Sequence, residues 1–192
     1  MAAVNVDNVQ AGHLSVGRAV WMALIIGAGV ACSFVYACVT PFAALACLAA
    51  LKADRRDTGA IIGLLWLANQ VIGYGFLGYP WTWDSVAWGG AIGVSAGMAL
   101  LAACALAPRR AGPFAISLSF VGAFAAYELT LYLASAVLPA EADAFSLSVI
   151  RQVFLINAVA LIGLVCMHWL AGIAGLLQPR QTAAFGSAVA AR

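Results

Sequence analysis

Glu128 lies near the middle of a long apolar run, a position that no other acidic residue of the chain occupies. A carboxylate surrounded by hydrocarbon is destabilising by several kcal/mol unless it is paired, hydrated or protonated, so it indicates a functional site. Tyr127 and Tyr132 flank it and could line the same space. The sequence predicts that Glu128 either pairs with a cationic group or carries a proton.

Polar residues of other apolar segments lie at the same predicted depth. Counted inward from the predicted outer ends of their segments, Asn69, Ser95, Glu128 and Asn157 each lie roughly 12–15 Å below the boundary. Gln70 lies slightly above this level. Hydrogen bonds between packed helices, at about 1 kcal/mol each, would account for such residues individually. The set that includes Glu128 favours a ligand cavity open to the outer side, with Asn69, Gln70 and Asn157 contacting polar edges of the ligand.

An aromatic loop precedes the segment that begins at Ser85. Tyr79, Trp81 and Trp83 occur with Asp84 in this loop, and Trp88 follows. Tyr and Trp are common at the membrane interface of any membrane protein. A lid that stacks a flat ring would use the same residues, so the sequence also predicts Trp81 and Trp83 as stacking residues and Asp84 as a polar contact.

The composition places the chain in the membrane. Of its residues, 65% are hydrophobic and 8% are charged. These fractions and the mean hydropathy of +1.02 lie far outside the range of a soluble domain. No run of Lys or Arg predicts nucleic-acid binding. The two histidines, His13 and His168, cannot build a metal site, and no nucleophile–base pair or phosphate loop is present. We therefore expect no catalytic residues, no metal and no cofactor, and any ATP-driven step would need a separate protein.

The apolar segments predict an all-α helix bundle. Four of them are long enough to span about 30 Å of hydrocarbon, namely Gly59–Leu77, Ser85–Leu106, Pro113–Leu138 and Val149–Leu177. The block Ala19–Leu51 is too long for one span and short for two, and Pro41 favours a helix start with Thr40 as its N-cap. Splitting the block gives six spans, which we favour, and leaving it whole gives five.

Basic residues predict the orientation. They cluster in alternate loops and in the C-terminal tail, at Lys52, Arg55, Arg56, Arg109, Arg110, Arg180 and Arg192. The positive-inside rule makes these regions cytoplasmic, so six spans place both termini inside. The predicted organisation is a polar N-terminal segment (1–18) without the flank of a cleaved signal, a membrane bundle (19–177), and a flexible cytoplasmic tail (178–192).

Small residues recur at every fourth position of the first span, at Ala19, Ala23, Gly27 and Ala31. Such a stripe lets another helix approach closely, either within the bundle or from a partner. In its small-residue stripe, its chain length and its predicted six-span layout, this protein resembles the substrate-capture subunits (S components) of energy-coupling-factor vitamin transporters. The resemblance covers roughly residues 19–177.

The resemblance implies a function. In that family a small-residue motif of the first span docks on a membrane coupling subunit, partner ATPases supply energy, and the vitamin lies in the outer half of the bundle. It implies a bacterial inner-membrane protein that is not itself an enzyme, with Glu128, Asn69 and Asn157 contacting the ligand. Two alternatives stay open: a solitary proton-coupled permease, and a non-transport accessory subunit of a larger membrane complex.

Overall fold

In the computed structural model, residues 19–20, 22–31, 40–52, 55–107, 112–141 and 143–173 are described. This part of the chain forms helices and no strand, which confirms the all-α class. In chain order the helices are α1 Met22–Ala31, α2 Phe42–Lys52, α3 Arg55–Gly75, α4 Trp83–Leu106, α5 Pro113–Ala134 and α6 Leu147–Ile173. The predicted segments 1–18 and 178–192 lie outside the described residues.

By length and apolar composition, three helices of the described chain could cross a membrane, namely α4, α5 and α6. Their outward faces carry large apolar side chains such as Val94, Leu101, Val121, Leu129 and Ile162. An exposed apolar surface of this extent is unfavourable in water and suits contact with lipid. The membrane character predicted from composition therefore agrees with the surface of the helices.

The short helix α2 forms the core of the bundle. It contacts α3, α4, α5 and α6, and every residue from Phe42 to Ala49 is buried. A helix that is apolar on all sides can pack against neighbours in every direction. The ring of Phe42 lies 6.0 Å from that of Tyr127 on α5, and the Cys47 thiol lies 3.6 Å from the Ile116 carbonyl. The predicted second segment is thus a helix enclosed by the others.

Helix α1 presents one face to this core and the opposite face outward. Ile25 is fully buried, and a side chain at Gly29 would collide with Leu65 of α3. Residues two positions apart on a helix point about 200° apart, so Ala23, Gly27 and Ala31 lie on the far side. All three are exposed. The small-residue stripe therefore points away from the bundle.

Helices α3 and α4 approach closely across glycines. A Cβ at Gly93 would lie 2.8 Å from the indole nitrogen of Trp66, and the same nitrogen donates a hydrogen bond to the Gly89 carbonyl at 2.8 Å. A Cβ at Gly89 would collide with Gln70. Since Trp66 is held in place by its hydrogen bond, these glycines set the distance between the two helices.

This contact generates the first prediction. The substitution Gly93→Ala places a methyl group against a fixed indole ring, and overpacking of this kind destabilises a protein by about 1–3 kcal/mol. The matched control is Gly97→Ala on the same helix, where an added Cβ meets nothing within 4 Å. We expect thermal unfolding in detergent to show a lower midpoint for Gly93→Ala than for Gly97→Ala, whose midpoint should equal or slightly exceed that of the wild type because alanine favours a helix more than glycine does. Equal midpoints would contradict this packing.

Candidate ligand-binding site

The site is built around the N-terminal end of α2, which lies inside the bundle. Thr40 and Pro41 precede the helix and are buried, as expected for a proline that starts a helix. The Phe42 N–H donates to the Thr40 carbonyl at 2.7 Å, and the Leu45 N–H donates to the Pro41 carbonyl at 3.0 Å. The first N–H groups of any helix lack partners within the helix. Here water is excluded, so other side chains must satisfy them.

Asn157 of α6 provides one such partner. Its Oδ1 accepts a hydrogen bond from the Ala44 N–H at 3.3 Å, and its Nδ2 donates to the Val153 carbonyl at 3.0 Å. The residue is 1% exposed. Asn157 therefore acts as a cap supplied by another helix, and it fixes the position of α2 against α6.

Asn69 of α3 contacts the residue at the start of the same helix. Its Nδ2 donates to the Thr40 hydroxyl at 2.7 Å, and its Oδ1 accepts from Gln70 Nε2 at 3.0 Å. Asn69 is buried, whereas Gln70 is half-buried beside Gly89. The predicted amides of α3 thus form a chain of hydrogen bonds that ends at Thr40.

Glu128 lies beside this end of α2. Together with Thr40 and Tyr127 it lines a cavity of about 190 Å³. Helices α4, α5 and α6 supply the other walls in the described chain, through Trp88, Ile92, Leu131, Val149 and Val153. Glu128 is half-buried, and Tyr127 is 8% exposed. The cavity therefore combines one carboxylate and one hydroxyl-bearing threonine with mostly apolar and aromatic walls, the usual make-up of a small-molecule site.

The connection between α5 and α6 covers the cavity. Ala144 and Phe145 of this connection line it, and the ring of Phe145 packs edge-on against Tyr132 at 5.6 Å. The Trp88 indole donates to the Pro139 carbonyl at 2.8 Å, which joins α4 to the same connection. The aromatic side chains of Trp88 and Phe145 thus line the same cavity as Glu128.

The aromatic loop before α4 packs on the end of α3. Trp81 lies 4.6 Å from Tyr74, and the Tyr74 hydroxyl is 3.1 Å from the Ser85 hydroxyl. Trp81 and Trp83 are 79% and 69% exposed. Asp84 lies in the first turn of α4, where a carboxylate is favourable because the helix dipole is positive.

The structure thus brings some predicted residues together and leaves others apart. Glu128 and Tyr127 both line the cavity. Asn69 donates a hydrogen bond to Thr40, which also lines it, and Asn157 accepts a hydrogen bond from the first turn of α2. The lining described for the cavity does not include Trp81, Trp83 or Asp84. Ser95, at the predicted depth, is fully buried and donates to the Ala91 carbonyl of its own helix at 2.8 Å.

Among the polar and aromatic residues that line the cavity, Thr40 and Phe145 were not predicted to contact a ligand, and Trp88 was considered only as part of the aromatic loop. A signal existed for Thr40, because the sequence places a threonine directly before a proline that starts a helix. Trp88 follows the aromatic loop in the sequence and resembled part of it. Nothing in the sequence around Phe145 indicated a ligand contact, since only the folded α5–α6 connection places this residue beside Glu128.

The arrangement suits binding more than bond-making. The Glu128 carboxylate can accept hydrogen bonds or pair with a cation, and the Thr40 hydroxyl can both donate and accept. In the described chain, no group of three His, Cys, Asp or Glu residues could hold a metal ion. Comparison with protein-family models, with curated proteins and with solved structures finds no match to the chain.

The cap on α2 gives the second prediction. Replacing Asn157 by Leu removes the acceptor for the Ala44 N–H at a buried position, and an unpaired buried donor costs about 1–3 kcal/mol. We expect the unfolding free energy in detergent to fall by this amount. The control is Gln152→Leu on the same helix, where the side chain is exposed and the change should be within about 0.5 kcal/mol. A fully stable Asn157→Leu protein would contradict the capping role.

Proposed function

We propose that this protein captures a small ligand from the outer side of a membrane, in the manner of an S component, and that partner subunits energise it. The observation that carries the proposal is the cavity that Glu128 and Thr40 share at the buried start of α2. A carboxylate in a mostly apolar cavity is unfavourable unless it is paired, hydrated or protonated, so its presence there indicates a functional role. Hydrogen bonding between helices alone would not need a carboxylate there.

The cavity also indicates the class of ligand. Its volume of about 190 Å³ is below the roughly 300–1,000 Å³ of sites that enclose drug-sized molecules. It suits a small ligand, or one group of a larger ligand. Glu128 favours an amine or a protonated heterocycle, and the faces of Trp88 and Phe145 favour a flat or cationic group. A cationic or hydrogen-bond-donating heterocycle satisfies both requirements.

The depth of the cavity follows from the length of α2. Eleven residues rise about 16 Å, roughly half of the hydrocarbon thickness. If Lys52 marks the cytoplasmic interface, the N-terminal end of α2 lies near the middle of the membrane, and the cavity lies in the outer half. The proposal takes all six helices as membrane-inserted, with both termini cytoplasmic, as the charge pattern predicts.

The outward face of α1 supports the need for a partner. Ala19, Ala23, Gly27 and Ala31 are all exposed, so the stripe is unused by the described bundle. A face of small residues allows close approach of a helix from another subunit. In the proposal this face contacts a membrane coupling subunit, and ATPases bound to that subunit drive reorientation.

The two alternatives make different demands on the same residues. A proton-coupled permease would use Glu128 as the proton site and would need no partner. An accessory subunit would use the α1 stripe and would tolerate loss of the Glu128 carboxylate. The occurrence of both features in one chain favours capture with partners over either alternative.

Glu128→Gln provides the third prediction. The change keeps the shape of the side chain and removes its negative charge. We expect the small molecule that co-purifies with the wild type, identified by mass spectrometry after gentle extraction, to be reduced at least tenfold, about 1.4 kcal/mol. The matched control is Glu141→Gln, an exposed carboxylate in the α5–α6 connection, which should retain the ligand. Equal retention of the ligand in both variants would show that Glu128 does not bind it, and a wild type that yields no small molecule would favour the accessory alternative.

The α1 stripe provides the fourth prediction. The substitution Gly27→Leu meets nothing within 4 Å of its Cβ, so the bundle should remain stable, but the added bulk should block a partner helix. We expect co-purification of membrane and ATPase subunits to be lost, with ligand binding retained. The control is Ala125→Leu, an exposed position on α5. Partner recovery that is unaffected by Gly27→Leu would show that this stripe is not the docking face.

A further inference from the structure

A second cavity lies at the opposite end of the bundle, where the C-terminal ends of α2 and α6 meet the start of α5. Its volume is about 550 Å³. The described lining contains two basic residues, Lys52 and His168, and no acidic residue; the remaining lining is Leu48, Leu51, Ile116, Leu161, Val165, Trp169, Gly172 and Ile173. The site is independent of Glu128 and of the proposed function.

The polar and apolar residues of this cavity are separated along the helices. Lys52 is the last residue of α2, and Leu48 lies one turn deeper. On α6, His168 is about 10 Å from Leu161 along the axis. Hydrocarbon walls therefore extend from the two basic groups toward the middle of the bundle, and Trp169, Gly172 and Ile173 continue the α6 wall for about one turn beyond His168. A ligand that matches this pattern has an anionic head and a hydrocarbon chain.

The level of the basic groups agrees with a membrane interface. His168 is roughly 30 Å along α6 from Leu147, close to the thickness of the hydrocarbon core. Trp169 beside it is 67% exposed, as is typical of tryptophans in the interfacial belt. Arg55 and Arg56 begin α3 shortly after Lys52, and in the sequence Arg109 and Arg110 lie between α4 and α5. This is the end that the positive-inside rule makes cytoplasmic.

We propose that this cavity binds an anionic phospholipid of the adjacent leaflet. The phosphate lies between Lys52 and His168, and one acyl chain lies along Leu48, Ile116 and Leu161. Basic pockets between helices at the cytoplasmic surface suit anionic head groups because basic side chains attract the phosphate. The lipid would join the C-terminal ends of α2 and α6 to the start of α5.

The test is lipid retention. The full-length protein is reconstituted into vesicles of equal phosphatidylglycerol and phosphatidylethanolamine, extracted gently, and its bound lipids are counted by native mass spectrometry. We expect the wild type to retain phosphatidylglycerol preferentially. Lys52→Gln should reduce that preference about fivefold, and Lys52→Gln with His168→Gln should abolish it. The control for charge is Arg151→Gln, an exposed basic residue at the other end of α6, which should behave as wild type.

A second variant keeps both basic residues and fills the cavity. Gly172 lines it one turn beyond His168, and an added Cβ there meets nothing within 4 Å, so Gly172→Trp should fold and obstruct the head-group end of the cavity. Ala125→Trp on α5 is the control for bulk. Equal retention of the two lipids by the wild type, or unchanged preference in both Lys52→Gln/His168→Gln and Gly172→Trp, would overturn the proposal. Displacement of the lipid by 10 mM inorganic phosphate would overturn it in favour of a free-anion site.

Discussion

The start of α2 inside the bundle is the constraint on which the rest of the structure depends. A helix that begins away from water has N–H groups that must find partners in the protein. Asn157 supplies one from α6, and Asn69 holds Thr40 from α3. Because three separate helices meet at this point, their relative positions are fixed by hydrogen bonds as well as by packing. The core of the protein is therefore polar at one end and apolar along the rest of α2.

This polar end also explains why a binding site can exist there. A half-length helix leaves the space beyond its first residue to be lined by other elements, and α4, α5 and the α5–α6 connection line it in the described chain. Thr40 has two roles, since its hydroxyl accepts a hydrogen bond from Asn69 and the residue also lines the cavity with Glu128. A ligand bound at Glu128 would thus contact the residue that positions α2.

The sequence predicted the local elements better than the contacts between them. The proline at position 41 and the apolar runs predicted where helices start, and α2 begins at Phe42 as the proline indicates. The common depth of Asn69, Glu128 and Asn157 in the membrane stays a prediction that rests on counting residues. Their partners could not be predicted, since the Asn157–Ala44 hydrogen bond joins residues 113 positions apart. The covering role of Phe145 likewise depends on how a loop folds over its neighbours.

Small-residue stripes illustrate why such contacts cannot be deduced from pattern alone. Gly89 and Gly93 on α4 face α3, where Trp66 and Gln70 leave no room for a side chain. Gly27 on α1 belongs to a stripe of the same kind, yet it faces outward with open space around it. A stripe of small residues allows another helix to approach closely. Which helix approaches depends on the direction in which the stripe faces in the folded bundle. The α4 glycines therefore serve the fold itself, whereas the α1 stripe stays exposed on the described bundle.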